Sequence, residues 1–189
     1  MFKEFYDKLV AILTPTKPAR PGLGPVDKPV EPKPNPYRLC PEALDLIKLS
    51  EGFSSKAYLD AVKIPTIGYG TIKYPMGRPV AMGDTCTREQ AEYYLTHEIN
   101  LAKSRIVRFL EEIGLELNPN QFGALVSFAY NLGAGVITNS DRSMSIALRA
   151  KDLDLVANTF LIYNRAGGKV LTGLASRRNA ERELFLKPV

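Results

Sequence analysis

No stretch of this sequence approaches the ~18 consecutive apolar residues that crossing a bilayer requires, so a membrane-spanning enzyme is excluded. Cysteine occurs only twice, as Cys40 and Cys86, 46 positions apart and in no CxxC spacing. With the chain's single histidine elsewhere, they offer neither a metal site nor a disulfide scaffold, and free thiols in a reducing compartment are expected. Nor is there a deficit of core residues. Of 189 residues, 45% are hydrophobic and 24% charged, which excludes wholesale disorder and suits one soluble domain. The net charge of +5 is mild but uneven: from Arg142 to Val189, nine Lys or Arg stand against four Asp or Glu. Such a half suits an anionic partner, whether a wall polymer, lipid headgroups or nucleic acid. No nucleic-acid-binding motif accompanies the charge, so a nucleic-acid partner is not expected.

What the globular part lacks, the N-terminal region holds in excess. Nine of the fourteen prolines fall between Pro15 and Pro41. So many fixed φ angles and missing N–H donors forbid helix and sheet, and residues 15–38 are expected to form an extended, semi-rigid linker. Ahead of it, residues 1–14 place Phe2, Phe5, Leu9 and Ile12 on one face at helical spacing, with Lys3, Glu4, Asp7 and Lys8 opposite. Acidic residues and the lack of a small-residue cleavage site argue against a signal peptide. An amphipathic helix is expected there, docking on its own domain or a partner. The rival reading is peripheral membrane contact through residues 1–13.

Residues 39–189 read as an α+β domain, mostly helical with a small antiparallel sheet. Pro41 fits the first turn of a helix that Gly52 stops in a left-handed conformation. The stretch from Ala57 to Asp84, rich in Tyr, Ile, Val and Thr and punctuated by Gly and Pro, predicts two or three short strands. Thr87 with Gln90 forms a capping box for a helix to about Glu112. Asn118 and Pro119 open a buried central helix that Gly133 ends, and three more helices are expected over 143–150, 153–163 and 173–186.

Glu51 ends the apolar stripe of the first helix, about 20° from Leu44 and 40° from Ile47 on the helical wheel. A carboxylate at that negative, half-buried helix end is pushed toward the protonated form that a general acid needs. Taken alone, it reads first as an exposed helix-end glutamate. Asp60 falls at the turn of the first hairpin, where Asp is also common for structural reasons. Thr66 follows, and strand alternation places it on one face with Gly68 and Gly70. Two glycines leave that face bare enough for a sugar ring to approach the backbone. An acid, a second carboxylate and a hydroxyl suit glycoside hydrolysis.

Glu51, eight residues, Asp60, five residues and Thr66 match the pattern of the phage-type lysozymes, glycoside hydrolase family 24. The surroundings match too: LIKLSEGF, AYLDAVKIPTIGYGT, QFGALVSFAYNLG and AGGKVLTGLASRRNAERELFL, over roughly residues 39–187. The chain departs from the pattern in having no Trp, with Tyr163 near where many relatives carry one.

The resemblance implies a lysozyme-like fold and a muramidase that cleaves the β-1,4 bond between N-acetylmuramic acid and N-acetylglucosamine in peptidoglycan. Glu51 would protonate the leaving oxygen while Asp60 and Thr66 hold the attacking water, with inversion and without metal or cofactor. By the same similarity Arg177 would reach back toward Glu51, the alternative being a solvent-facing arginine beside Arg178 and Glu181. Tyr130, Asn139 and Ser140 match cleft-lining positions, against core packing for Tyr130 and helix capping for Ser140. His97, beside Glu98, is read as structural. A monomer is expected, acting in host lysis by a phage or prophage. It would be held in the host cytoplasm and reach the periplasm and wall once the membrane is permeabilised. A lytic transglycosylase and a virion-associated structural protein stay open as alternatives.

Overall fold

The computed structural model describes residues 37–189. The helix expected over residues 1–14, and the linker as far as residue 36, lie outside the described residues. The order of elements is α1 (Pro41–Glu51), β1 (Ser54–Leu59), β2 (Pro65–Gly68), α2 (Arg88–Ile113), α3 (Pro119–Leu132), α4 (Gly135–Thr138), α5 (Ser143–Arg149), α6 (Leu153–Phe160), β3 (Arg165–Ala166), β4 (Lys169–Val170) and α7 (Thr172–Leu186). This is the expected α+β arrangement, dominated by helices.

Helices α2 and α3 begin where local chemistry supplies partners for their first N–H groups. At α2 the Thr87 hydroxyl accepts from the Gln90 N–H at 3.2 Å, and the Gln90 side chain accepts from the Thr87 N–H at 2.9 Å. Asn118 and Gln121 repeat the device at α3. Gly114 ends α2 in the left-handed conformation, φ 61° and ψ 45°. The stop after α1 differs from the expectation. Gly52 has φ 69° but ψ 172°, a region that only glycine occupies readily. The chain therefore leaves α1 already extended and enters β1 almost at once, which sets Glu51 at the root of the sheet.

Strands β1 and β2 pair antiparallel, Tyr58 opposite Thr66 and Leu59 opposite Pro65, with an irregularity between Ser54 and Tyr58. The sheet starts earlier than residue 57 because pairing with Gly68 recruits Ser54, a poor strand former by itself. Single bridges, Lys56 to Thr85 and Lys73 to Pro79, stand where a third strand was allowed for. Two elements escaped the sequence reading. Helix α4 is a single turn of four residues, too short for periodicity to register. The β3–β4 hairpin has two residues per strand around Gly167 and Gly168, both with positive φ. A Gly-Gly pair is a hairpin signal that could have found it.

Helix α3 is the centre of the core, with nine residues from Asn120 to Ala129 buried, packed chiefly against α7 and α1. Phe128 meets Phe160 edge-on at 5.0 Å and Tyr163 at 5.1 Å, so Tyr163 closes the core against α3. Gly123 is a point of close contact between α3 and the start of α1. A Cβ there would stand 2.7 Å from the Cys40 sulfur and 2.8 Å from the Ala43 Cβ. Gly123→Ala is therefore expected to lower stability by about 1–3 kcal/mol through overpacking, measured by thermal or urea unfolding. An unchanged melting temperature would show that α1 can shift freely.

Candidate active site

Glu51 occupies the last position of α1, on the face that Ala43 and Ile47 bury completely. Its side chain is 21% exposed, and its Oε1 accepts a hydrogen bond from Arg177 at 2.6 Å. Arg177 is not solvent-facing. Its Nε reaches Glu181 Oε1 at 3.1 Å, one turn along α7, and its other terminal nitrogen donates to the Ser127 carbonyl at 3.2 Å. Glu181, fully buried, also accepts from the Ser127 hydroxyl at 2.8 Å and pairs with Arg178 at 3.1 Å. Arg178 is buried as well, lying 4.8 Å from the centre of the Phe128 ring and bonded to Asn131. The acid is thus the exposed end of a chain of alternating charges that runs into the core. Burial pushes the Glu181 carboxyl up and the Arg178 guanidinium down, and each opposes the other's shift.

Asp60 and Thr66 are tied to one residue, Ile64. Asp60 Oδ1 accepts the backbone N–H groups of Val62 and Ile64 at 2.9 and 2.8 Å, while the Thr66 hydroxyl donates to the Ile64 carbonyl at 3.0 Å. The Asp turn and the start of β2 are therefore held in one geometry. Asp60 Oδ2 has no hydrogen bond among the described residues, and the Thr66 oxygen keeps its lone pairs. Tyr58, opposite Thr66, lies near both carboxylates. Burial, and then the charges of Glu51 and Asp60, raise its phenol above the ordinary range.

The two glycines do not share a bare face. Gly68 has φ 65°, and a Cβ there would stand 2.9 Å from the Ala91 Cβ, so it is the packing point between β2 and α2. Positive φ breaks the alternation that the sequence reading extended through it. Gly70 does face the acid: a Cβ there would be 3.4 Å from Glu51 Oε2 and 3.8 Å from the Tyr130 hydroxyl. Tyr130 donates to the Tyr69 carbonyl at 2.8 Å. Burial pushes the Glu98 carboxyl, on α2, up against the lowering effect of the Tyr130 and Thr71 hydroxyls.

An open groove of about 800 Å³ adjoins the site, lined by Glu51, Arg177 and Asn131 with Leu46, Leu49 and Leu171. Asn139 lines a separate cavity of about 380 Å³ with Arg142 and Tyr163. Ser140 is exposed in the turn before α5, whose N-cap is Arg142, so it caps no helix. Cys40 and Cys86 are both buried free thiols. Among the described residues no group of three or more His, Cys, Asp or Glu could hold a metal.

Tyr58, Glu98, Asn131 and the Arg178–Glu181 pair were missed by sequence reasoning. For Glu98 a signal existed: Ala91, Leu95, Ile99 and Ile106 are the buried stripe of α2, and Glu98 falls on it.

A family profile described as phage lysozyme matches residues 48–181. The endolysin of Bacillus phage B103 is 37% identical over 145 residues, 76% of this chain. The chain spans only about half of that relative's length, 52%. The endolysin of Salmonella phage P22 is 34% identical over 140 residues, 74% of this chain and 92% of the relative. A solved endolysin from Escherichia coli O157:H7 phage FAHEc1 superposes with a TM-score of 0.69 at 35% identity, covering 80% of this chain and 95% of that one. The fold is lysozyme-like, and by profile, sequence and structure alike the chain belongs to the phage lysozyme family.

Proposed function

We propose that this protein is a peptidoglycan hydrolase of the muramidase type. It cleaves the β-1,4 bond between N-acetylmuramic acid and N-acetylglucosamine, with inversion, during host lysis. The observation that carries the reading is the Glu51 carboxyl, oriented by Arg177 at 2.6 Å beneath the bare backbone of Gly70. A polysaccharide can approach this acid without meeting a side chain at position 70. Glu51 gives its proton to the glycosidic oxygen as the bond breaks. The attacking water donates one proton toward Asp60 Oδ2 and the other to the Thr66 oxygen, which aims its lone pair at the anomeric carbon. That order of roles is the one expected of an inverting pair of carboxyl groups. The basic half of the chain complements an anionic wall polymer.

No helix among the described residues is long and apolar enough to cross a membrane. On this reading the enzyme is held in the host cytoplasm and reaches the periplasm and wall once the membrane is permeabilised. The residues given roles here all come from one chain, which supports reading the enzyme as a monomer.

Product analysis tests the reading. Mass spectrometry of digested peptidoglycan is expected to show reducing N-acetylmuramic acid ends, and proton NMR during the reaction to show the α-anomer first. Products ending in 1,6-anhydro sugars would mean transglycosylation, and initial β-anomer would overturn inversion. Asp60→Asn is expected to lose at least about a hundredfold in turnover, because an amide cannot accept the water's proton. Full activity in the Asp60→Asn, Thr66→Ala double variant would remove both residues from the water site.

A further inference from the structure

We propose that Glu181 is a positioning residue for the acid: with Ser127 it clamps the Arg177 guanidinium so that Nη1 is aimed at Glu51 Oε1. The inference rests on reading Glu51 as the acid. Three residues close a ring on one edge of the guanidinium. Arg177 Nε donates to Glu181 Oε1 at 3.1 Å, and Arg177 Nη2 donates to the Ser127 carbonyl at 3.2 Å. The Ser127 hydroxyl in turn donates to the same Glu181 oxygen at 2.8 Å, which ties α3 to α7 and closes the ring. The other Glu181 oxygen lies 3.1 Å from Arg178 Nε, so the carboxylate is held from both sides. Ser127, Arg178 and Glu181 are all fully buried, and bulk water does not compete for these contacts.

The shape of the guanidinium gives the ring its consequence. The group is planar and rigid, so holding Nε and Nη2 also fixes where Nη1 points. That nitrogen meets Glu51 Oε1 at 2.6 Å. Glu51 stands at the last position of α1 with its side chain 21% exposed, and its carboxyl takes its direction from this bond. A lysine at position 177 would carry the same charge but has no planar fork to engage three acceptors at once. A purely structural Glu181 would only neutralise the two arginines, and a carboxylate set slightly back would do that equally well. A positioning Glu181 needs its oxygen in this place. A displacement of about 1 Å at a reacting centre is enough to cost up to a hundredfold in rate.

The test is kcat and KM on purified peptidoglycan, beside a thermal melt, for wild type, Glu181→Asp, Ser127→Ala, Arg177→Lys and the Glu181→Asp, Arg177→Lys pair, with Glu51→Gln alongside. All three single variants keep every charge of the cluster. Glu181→Asp draws the carboxylate back by a methylene, Ser127→Ala removes the hydroxyl that pins it, and Arg177→Lys removes the fork. Glu181→Asp and Arg177→Lys are each expected to lower kcat about tenfold or more, and Ser127→Ala about threefold, with KM within about twofold. The pair is expected to be no worse than its slower member alone, because both changes act through one guanidinium. Wild-type kcat in any of the three single variants overturns the proposal, as do losses that fall on KM or additive losses in the pair. If Glu181→Asp does not fold, Ser127→Ala takes its place, alone and paired with Arg177→Lys, on the same terms. A fully active Glu51→Gln would instead bring down the acid assignment, while an inactive Glu51→Gln beside a wild-type-like Glu181→Asp brings down only the role of Glu181.

Discussion

Glu51→Gln is expected to retain less than about a thousandth of wild-type activity on purified peptidoglycan, within the range that a positioned general acid contributes. The amide has the shape of the carboxylic acid but no proton to give at the moment the glycosidic bond breaks. The fold should survive the change. The amide oxygen still accepts from Arg177, and Arg177 keeps Glu181 at 3.1 Å and the Ser127 carbonyl at 3.2 Å. No buried charge is therefore stranded, and the melting temperature is expected to stay within a few degrees. Turbidity clearing of outer-membrane-free cells, run beside a thermal melt, separates lost chemistry from lost structure. Activity within tenfold of wild type would remove Glu51 from the acid role.

The second large effect is on stability. Glu181→Ala is expected to destabilise the domain by about 3–5 kcal/mol, because it leaves Arg177 and Arg178 buried with one carboxylate between them. For a domain of this size that corresponds to a fall of roughly 6–20 °C in melting temperature. Arg178→Ala is expected to destabilise as well, leaving Glu181 to Arg177 and Ser127 alone and uncovering the Phe128 ring. Arg178 is therefore no neutral comparison for Arg177, as a surface arginine would have been. The exposed pair Lys187–Glu42 serves instead: Glu42→Ala is expected to change the melting temperature little, since such pairs are well solvated. Differential scanning calorimetry of the three variants checks the order. A Glu181→Ala protein melting with wild type would mean that the two arginines find water or another partner without cost.

The helices α1, α2 and α3 were legible in the sequence because their signals are local. A proline at the first turn, two capping boxes and an apolar stripe act within three or four residues, and they keep their meaning in any tertiary context. Glu51, Asp60 and Thr66 stood out for a related reason: they lie within sixteen positions, around one helix end and one hairpin. The stop at Gly52 was legible as a glycine position, but its ψ was set by the sheet that follows.

What only the tertiary structure decided lies across longer separations. Arg177 meets Glu51 over 126 positions, Ser127 meets Glu181 over 54, and Tyr130 meets Tyr69 over 61. The close approach of β2 to α2, where a Cβ on Gly68 would stand 2.9 Å from the Ala91 Cβ, is likewise set by packing between elements distant in sequence. Burial of Arg178 and Glu181 is equally non-local. In sequence they resemble an ordinary i,i+3 surface pair, and it is the packing of α3 against α7 that removes their water and turns them into the support of the acid.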